Sequence, residues 1–306
     1  MITPKICPPM KILLAVDGSE HSIAAAQFIR DLPLSQGSEV IALGVLSQRH
    51  TPSRYFLLAA LDKAQTILQD SGAEVRTGLL HGNPAEALTD FADEHKPDLM
   101  VVGAKGLRAT LGILLGGVAQ QVVEYARWPV LVVRAPYTGL RNILLAVDGS
   151  QHSQCAVQYL THFPFPEGTD VRVMHILPPM PQPEAPISTG RYLPFYPDIP
   201  PLSSHETEQA IARQAEFEEQ EGQALLTETI ETLRASRVEA TGVMKRGDAA
   251  TEIIEYVKSQ NVHLVVAGSR GLSAVKGWWL GSVSRKLVHY AGCSVLVVRE
   301  SGEASV

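Results

Sequence analysis

The chain writes one unit twice. Lys11-Ile-Leu-Leu-Ala-Val-Asp-Gly-Ser-Glu-His-Ser22 returns as Asn142-Ile-Leu-Leu-Ala-Val-Asp-Gly-Ser-Gln-His-Ser153, at an offset of 131 residues. Further on, His81-Gly-Asn-Pro-Ala-Glu aligns with Arg246-Gly-Asp-Ala-Ala-Thr, and Leu99-Met-Val-Val-Gly-Ala-Lys-Gly with Leu264-Val-Val-Ala-Gly-Ser-Arg-Gly, at an offset of 165. The second copy therefore carries an insertion of 34 residues, and the stretch at about 178–204, with its nine prolines, marks it. Proline-rich chain is extended and polyproline-like, which suits a surface loop. Tyr192, Phe195 and Tyr196 within it are candidates for covering a ligand or touching a second subunit. Each copy ends on a buried-strand pattern, Pro129-Val-Leu-Val-Val-Arg134 and Ser294-Val-Leu-Val-Val-Arg299. A chain of 306 residues has room for two domains, since domains commonly run to roughly 100–200 residues. We expect them at 1–136 and 140–306, joined by Ala135 to Gly139.

Within a copy, apolar runs of strand length alternate with helical periodicity. The first copy reads as strands near 11–16, 39–46, 73–80, 98–103 and 130–134, with helices near 19–31, 53–71, 84–95 and 117–126. In the second, strands fall near 142–147, 170–177, 238–244, 263–268 and 294–298, with a long helix at about Glu206 to Arg234. Continuous apolar strands are expected when helices cover both faces of a parallel sheet. The fold class is α/β: two tandem, doubly wound, five-stranded parallel-sheet domains of Rossmann-like type, with ligands expected at the carboxyl ends of the central strands. Ser19 and Ser150 stand where helix caps are wanted. Glu216, Glu218, Glu219 and Glu221 on the long helix read as a solvated acidic face, or more sharply as a dock for a basic partner.

Net charge of −6 and a pI near 5.9 argue against a nucleic-acid groove or an anionic membrane surface. Any phosphate must be held locally. No apolar run approaches the roughly 18 residues of a membrane span, and MITPKICPPMKILLAVD reads as a first strand rather than a leader. Cys7, Cys155 and Cys293 lie far apart and read as small buried apolar residues in a reducing compartment. The cytoplasm is the expected location.

The chemistry-bearing stretch is GSRGLSAVKGWWLGSVS, Gly268 to Ser284. It follows a strand, is rich in glycine and opens a helix with hydroxyls. Loop and helix-start N–H groups there are unpaired and aligned with the positive end of the helix dipole, which suits an anion. Neither G-x-x-x-x-G-K-[ST] nor G-x-G-x-x-G occurs. Instead Gly268-x-x-Gly271 is followed after nine residues by Gly281-Ser282, with Ser284 beyond.

That spacing, in a chain that begins with a strand followed by Asp-Gly-Ser, resembles the universal stress protein family of the ATP-binding, UspA-like kind, in a tandem form. The resemblance covers nearly the whole chain, and with it comes a fold similar to the adenine nucleotide alpha hydrolases. It implies that Asp148 sits beside the adenosine and that the backbone around Ile176 meets the adenine edge. Gly268, Gly271 and Gly281 would admit ribose and phosphates, and Ser282, Val283 and Ser284 would hold the phosphates, with Arg270 adding charge. Copy one departs from the pattern. Asp17, Val45, Gly103, Gly106 and Gly116 match, but Gly117 replaces the first hydroxyl residue and Ala119 the second, with Val118 between. A hydrogen bond to a charged group is worth about 1.5–3 kcal/mol, so losing one or two weakens binding by roughly tenfold to several hundredfold. Lys105 and Arg108 offset part of that.

His21 and His152 each follow the strand-end Asp by four residues. No nucleophile or second carboxylate repeats beside them, so a packing or surface role is expected and ATP hydrolysis is expected to be slow at most. A magnesium ion would bridge the phosphates and Asp148, for no carboxylate cage is evident. Trp278 and Trp279 read as packing or rim residues. The family resemblance further implies that the fifth strands pair edge to edge, Val130 to Val133 against Val295 to Val298, as an internal pseudo-dimer that two chains could extend into a homodimer. The expected role is stress response through conformation and partner binding. Two alternatives stand beside it: a scaffold whose glycine loops are relics, and a pocket for a lipid or AMP-like ligand.

Overall fold

The computed structural model describes residues 7–47, 53–107, 114–180, 204–272 and 280–299. The N-terminal half contains β1 (Lys11–Ala15), α1 (Glu20–Arg30), β2 (Glu39–Leu46), α2 (Arg54–Leu68), β3 (Glu74–His81), α3 (Pro84–His95), β4 (Leu99–Gly103), α4 (Gly117–Tyr125) and β5 (Val130–Val133). The C-terminal half repeats the order with β6 (Asn142–Val147), α5 (Gln151–His162), β7 (Asp170–Leu177), α6 (Ser204–Ala235), β8 (Ala240–Arg246), α7 (Ala249–Ser259), β9 (Leu264–Gly268), α8 (Ser282–Tyr290) and β10 (Ser294–Val298). A 3-10 turn, Gln69–Ser71, closes α2 where a longer helix was expected, with Gly72 left-handed behind it.

The ten strands form one sheet, in the order β3-β2-β1-β4-β5-β10-β9-β6-β7-β8. Every neighbour pair within a half is parallel. The seam between halves is antiparallel, with Val295 opposite Val132, Leu296 opposite Leu131 and Val297 opposite Val130. The expected pairing of the fifth strands is thus present. Apart from Ser294, every residue of β5 and β10 is exposed by 1% or less. Pairing them removes two sheet edges that would otherwise template foreign strands.

Helices cover both faces, and the two faces form two apolar layers. One gathers Phe28, Ile29, Leu68, Leu160 and Phe163 under α1, α2, α5 and α6; the other gathers Leu88, Val122, Val123, Ile253, Leu287 and Val288 under α3, α4, α7 and α8. Both layers run across the seam. β8 begins two residues later than the sequence suggests, because Arg237 adopts φ of 62° and Val238 still donates its N–H to Leu233 of the helix before it. α6 is 32 residues long against 15 for α2. Its acidic face is only partly solvated: Glu216, Glu219 and Glu221 are exposed, but Glu218 accepts from Arg246 at 2.6 Å. Tyr192, Phe195 and Tyr196 lie outside the described residues.

Candidate functional site

The carboxyl ends of β6 and β9 are neighbours, so the Asp148 turn and the loop after Gly268 meet. Asp148 holds them together. Its Oδ1 accepts from the Ser150 N–H at 3.0 Å, and its Oδ2 from the Leu272 N–H at 3.3 Å. A Cβ on Gly271 would stand 2.5 Å from Oδ2, and one on Gly268 would stand 2.5 Å from the His152 carbonyl carbon and oxygen. Two glycines of the motif are therefore required by the chain's own packing, whatever ligand the loop takes. Gly281 closes the loop by donating its N–H to the Ser269 carbonyl at 2.7 Å. The two glycine-bearing segments, far apart in the motif, converge.

From this loop α8 departs with its first N–H groups unclaimed by a capping side chain. Ser19 caps α1, Ser53 α2, Asn83 α3, Ser150 α5 and Asp248 α7, each with a side-chain acceptor. At α4 and α8 the N-caps are Gly116 and Gly281, which offer none. An uncapped helix start leaves several donors without a partner at the positive end of the helix dipole. These are the helices that follow the two long glycine loops, and both lack the cap.

Ser282, first residue of α8, is exposed, and Val283 beside it is half-buried against the core. The Ser284 hydroxyl, expected to face phosphate, is buried and donates to the Gly268 carbonyl at 2.6 Å, tying helix to strand. Its N–H remains one of the helix-start donors. Arg270 is half-buried in the loop, and its carbonyl lies 3.5 Å from the Ser150 Oγ. Ile176 is half-buried one step past His175, the β7 residue opposite the last residue of β6, and His175 itself bonds the Val147 carbonyl through Nδ1 at 2.9 Å. Trp278 and Trp279 lie outside the described residues.

The N-terminal half reproduces the construction. Asp17 accepts from Ser19 N–H at 2.9 Å and Leu107 N–H at 3.2 Å, and Gly116 donates to the Ala104 carbonyl at 2.8 Å. A Cβ on Gly106 would stand 2.7 Å from Asp17 Oδ2, and one on Gly103 2.9 Å from His21 and Ser22 backbone. Val45 lies two residues past Leu43, the last residue of β2 paired with β1, so its edge on that side runs beyond the end of β1. Gly117 and Val118 open α4, and a Cβ on Gly117 would meet nothing within 4 Å. Lys105 is half-buried in the loop; Arg108 lies outside the described residues.

Sequence reasoning missed a second duty of the cap serines. The Ser19 Oγ accepts from Ser22 N–H at 3.2 Å and donates to the Lys105 carbonyl at 3.1 Å, so one hydroxyl both caps α1 and braces the loop. The signal is the Asp-Gly-Ser triplet in both copies, which by itself reads only as a turn and cap. His21 is structural as well. Its Nδ1 accepts from the Ala135 N–H at 2.8 Å, fastening the start of the linker. Burial lowers its pKa from the usual histidine value, and the nearby Lys105 charge adds to that. Among the described residues no group of His, Cys, Asp and Glu could hold a metal ion, and no helix is long and apolar enough to cross a membrane.

The model of the universal stress protein family matches residues 9–134 and again 139–299. A universal stress protein of Mycolicibacterium smegmatis is 28% identical over 313 aligned residues, which cover 94% of this chain and 96% of that protein. The crystal structure of a universal stress protein from Archaeoglobus fulgidus covers 96% of this chain and 98% of its own, at 17% identity and a TM-score of 0.62. A universal stress protein solved in complex with cAMP covers 41% of this chain and 97% of its own, at 28% identity and a TM-score of 0.35.

Proposed function

Since the chain belongs to the universal stress protein family, in a form with two family units in tandem, we propose that it binds ATP at the loop between β9 and α8. The N-terminal loop between β4 and α4 takes the same ligand more weakly. One observation carries the reading: α4 and α8 start without a side-chain cap, each directly after a glycine loop, while five other helices are capped. Both helix starts open to solvent, at Gly117 and Val118 and at Ser282, and a polyphosphate there meets several helix-start donors at once with charge of the right sign.

In this reading the N–H groups of Ser282, Val283 and Ser284 hold phosphate, the Ser282 hydroxyl adds a donor, and Arg270 adds charge. Gly271 and Gly281 keep the loop backbone close. Asp148 fixes the loop and faces the ribose, and the backbone at Ile176 reads the adenine edge. In the N-terminal half Gly106, Gly116, Gly117 and Val118 do the same with no hydroxyl. The two halves differ in fewer phosphate donors than their sequences suggest. Ser284 commits its hydroxyl to the Gly268 carbonyl, so Ala119 removes a structural tie and Gly117 alone removes a phosphate donor. The affinity gap then rests on one hydrogen bond to a charged group, about 1.5–3 kcal/mol, or roughly tenfold to a hundredfold.

Turnover is not required for this function. Neither glycine loop, 103–117 or 268–284, contains an aspartate or glutamate of its own, and the His21 ring is committed to the linker. Magnesium accompanying ATP would bridge the phosphates and Asp148, each of whose oxygens keeps a lone pair after accepting one backbone N–H. The role follows as a cytoplasmic stress-response protein that changes conformation and partners with nucleotide.

A scaffold reading without nucleotide has its own support, since Gly268 and Gly271 are demanded by internal packing alone. Mass spectrometry of the freshly purified, denatured protein, followed by calorimetric titration with ATP, ADP and cAMP, separates the readings. ATP retention with tighter binding in Gly116→Val than in Gly281→Val is expected. Absence of any nucleotide binding sinks the ATP reading and leaves the scaffold.

A further inference from the structure

We propose that Arg134 couples the two glycine loops, holding the loop of the N-terminal half and the loop-following helix of the C-terminal half in one guanidinium. The side chain leaves the end of β5 and forks. Nη1 donates to the Leu114 carbonyl at 2.8 Å, two residues ahead of the α4 cap Gly116. Nη2 donates across the seam to the Val288 carbonyl at 2.8 Å and the His289 carbonyl at 3.1 Å, in the last turn of α8. The backbone N–H of the same residue donates to the Ser294 hydroxyl at 3.3 Å, at the start of β10. Arg134 is thus tied to the C-terminal half by main chain and side chain alike.

The geometry suits transmission for three reasons. A guanidinium is planar and rigid, so its two ends cannot move independently as a lysine's single ammonium could. The α8 carbonyls it holds carry the negative end of the helix dipole, where a cation is favoured. And α8 has nine residues, which at about 1.5 Å each make a rod of about 13 Å, with Arg134 at one end and the C-terminal loop at the other. The arrangement is reciprocal. Arg299, one repeat later, is buried and donates through Nη2 to the Val123 and Glu124 carbonyls in the last turn of α4. Each half's closing arginine grips the helix that begins at the other half's loop.

A ligand that shifts the Leu114 carbonyl therefore moves the end of α8, and a ligand at the start of α8 acts back on Leu114 by the same amount of free energy. This extension rests on the reading that both loops take ATP, but the mechanical link exists without ligand. Hydrogen exchange by mass spectrometry tests the two parts separately. In the unliganded protein, Arg134→Gln is expected to speed exchange together in residues 114–119 and 286–291, by about threefold or more. Change in one segment alone, or in neither, overturns the coupling. Arg134→Lys, which keeps charge and stem, gives the same comparison should the glutamine variant fail to fold.

In the second part the C-terminal loop is closed by Gly281→Val and ATP is added. Added protection at 288–291 is expected with Arg134 in place and is lost in the Arg134→Lys background. ATP binding with no change in α8 overturns the proposal. Should no ATP bind to any variant, the nucleotide reading fails and the unliganded exchange decides the coupling by itself.

Discussion

The two halves share a loop and differ in what decorates it. In each, an aspartate at the end of the first strand clamps its own turn and the glycine loop with two backbone hydrogen bonds, at 2.9 and 3.2 Å in one half and 3.0 and 3.3 Å in the other. In each, the last helix starts from glycine without a side-chain cap. The differences are hydroxyls and one helix: Gly117 for Ser282, Ala119 for Ser284, and a second helix of 15 residues where the other half has 32. Side chains that hold the loop or the seam, Asp17 and Asp148, Ser19 and Ser150, Arg134 and Arg299, were duplicated intact, whereas the hydroxyls at the start of the last helix diverged.

Several substitutions would break or sharpen that comparison. The largest effect belongs to the seam that both halves share. Val132→Asp or Val297→Asp puts an unpaired carboxylate where exposure is 1% or less, so each should cost about 3–5 kcal/mol or prevent folding. Near-equal losses in thermal melting are expected, and a melt unchanged by either would mean the strands do not meet. Next come Gly268→Ala and Gly103→Ala, each driving a methyl into the backbone at the start of the helix beside it and costing about 1–3 kcal/mol. The C-terminal change should be the worse, since its clash is 2.5 Å against 2.9 Å. The reverse ranking in denaturant unfolding would mean the loops relax differently.

The proposed difference in nucleotide affinity between the halves is tested by exchange of a single residue. Ser282→Ala should lower ATP affinity at the C-terminal loop about tenfold, and Gly117→Ser, which meets open space, should raise affinity at the N-terminal one. Calorimetry that finds neither change would take the hydroxyl out of the account. Ser284→Ala should instead cost about 1 kcal/mol of stability and leave affinity near its starting value, because its hydroxyl serves Gly268. A selective loss of ATP binding would return it to the phosphate.

The smallest effect is pH dependence through His21. Its folded-state pKa is depressed by burial and then by Lys105, so the neutral acceptor form is what the folded state favours. Its stabilisation is complete above the unfolded histidine value of about 6.5 and is lost as pH falls from there through the lower folded value. His21→Gln should flatten the stability curve below about pH 6.5 without abolishing its slope, since His263 and His289 are depressed too. An unchanged curve would mean the ring does not hold Ala135.

Much of this is legible in residues. Strand positions follow from apolar runs, as with Val130 to Val133, because a strand covered on both faces has no polar side to display. The glycine spacing points to a loop before a helix. What it leaves unsaid is why each glycine stands there: Gly271 answers to Asp148, 123 positions away in sequence, and Gly268 to the His152 carbonyl. The direction of the Ser284 hydroxyl escapes the sequence for the same reason. Hydroxyl count is visible along the chain, but where a hydroxyl points depends on which carbonyl lies beside it.

By itself the sequence determined a duplicated α/β unit, its strand and helix order, and the two loops where anion chemistry is possible, since these follow from periodicity and from local backbone requirements. The pairing of the fifth strands came from the family resemblance, and only the tertiary structure decided its antiparallel register, that aspartates clamp both loops, and that Arg134 reaches from one half into the last turn of the other's helix. The register of the seam, the clamps on the loops and the reach of Arg134 into α8 join residues 90 or more positions apart, and pattern along a chain carries no record of which distant atoms come within hydrogen-bonding distance.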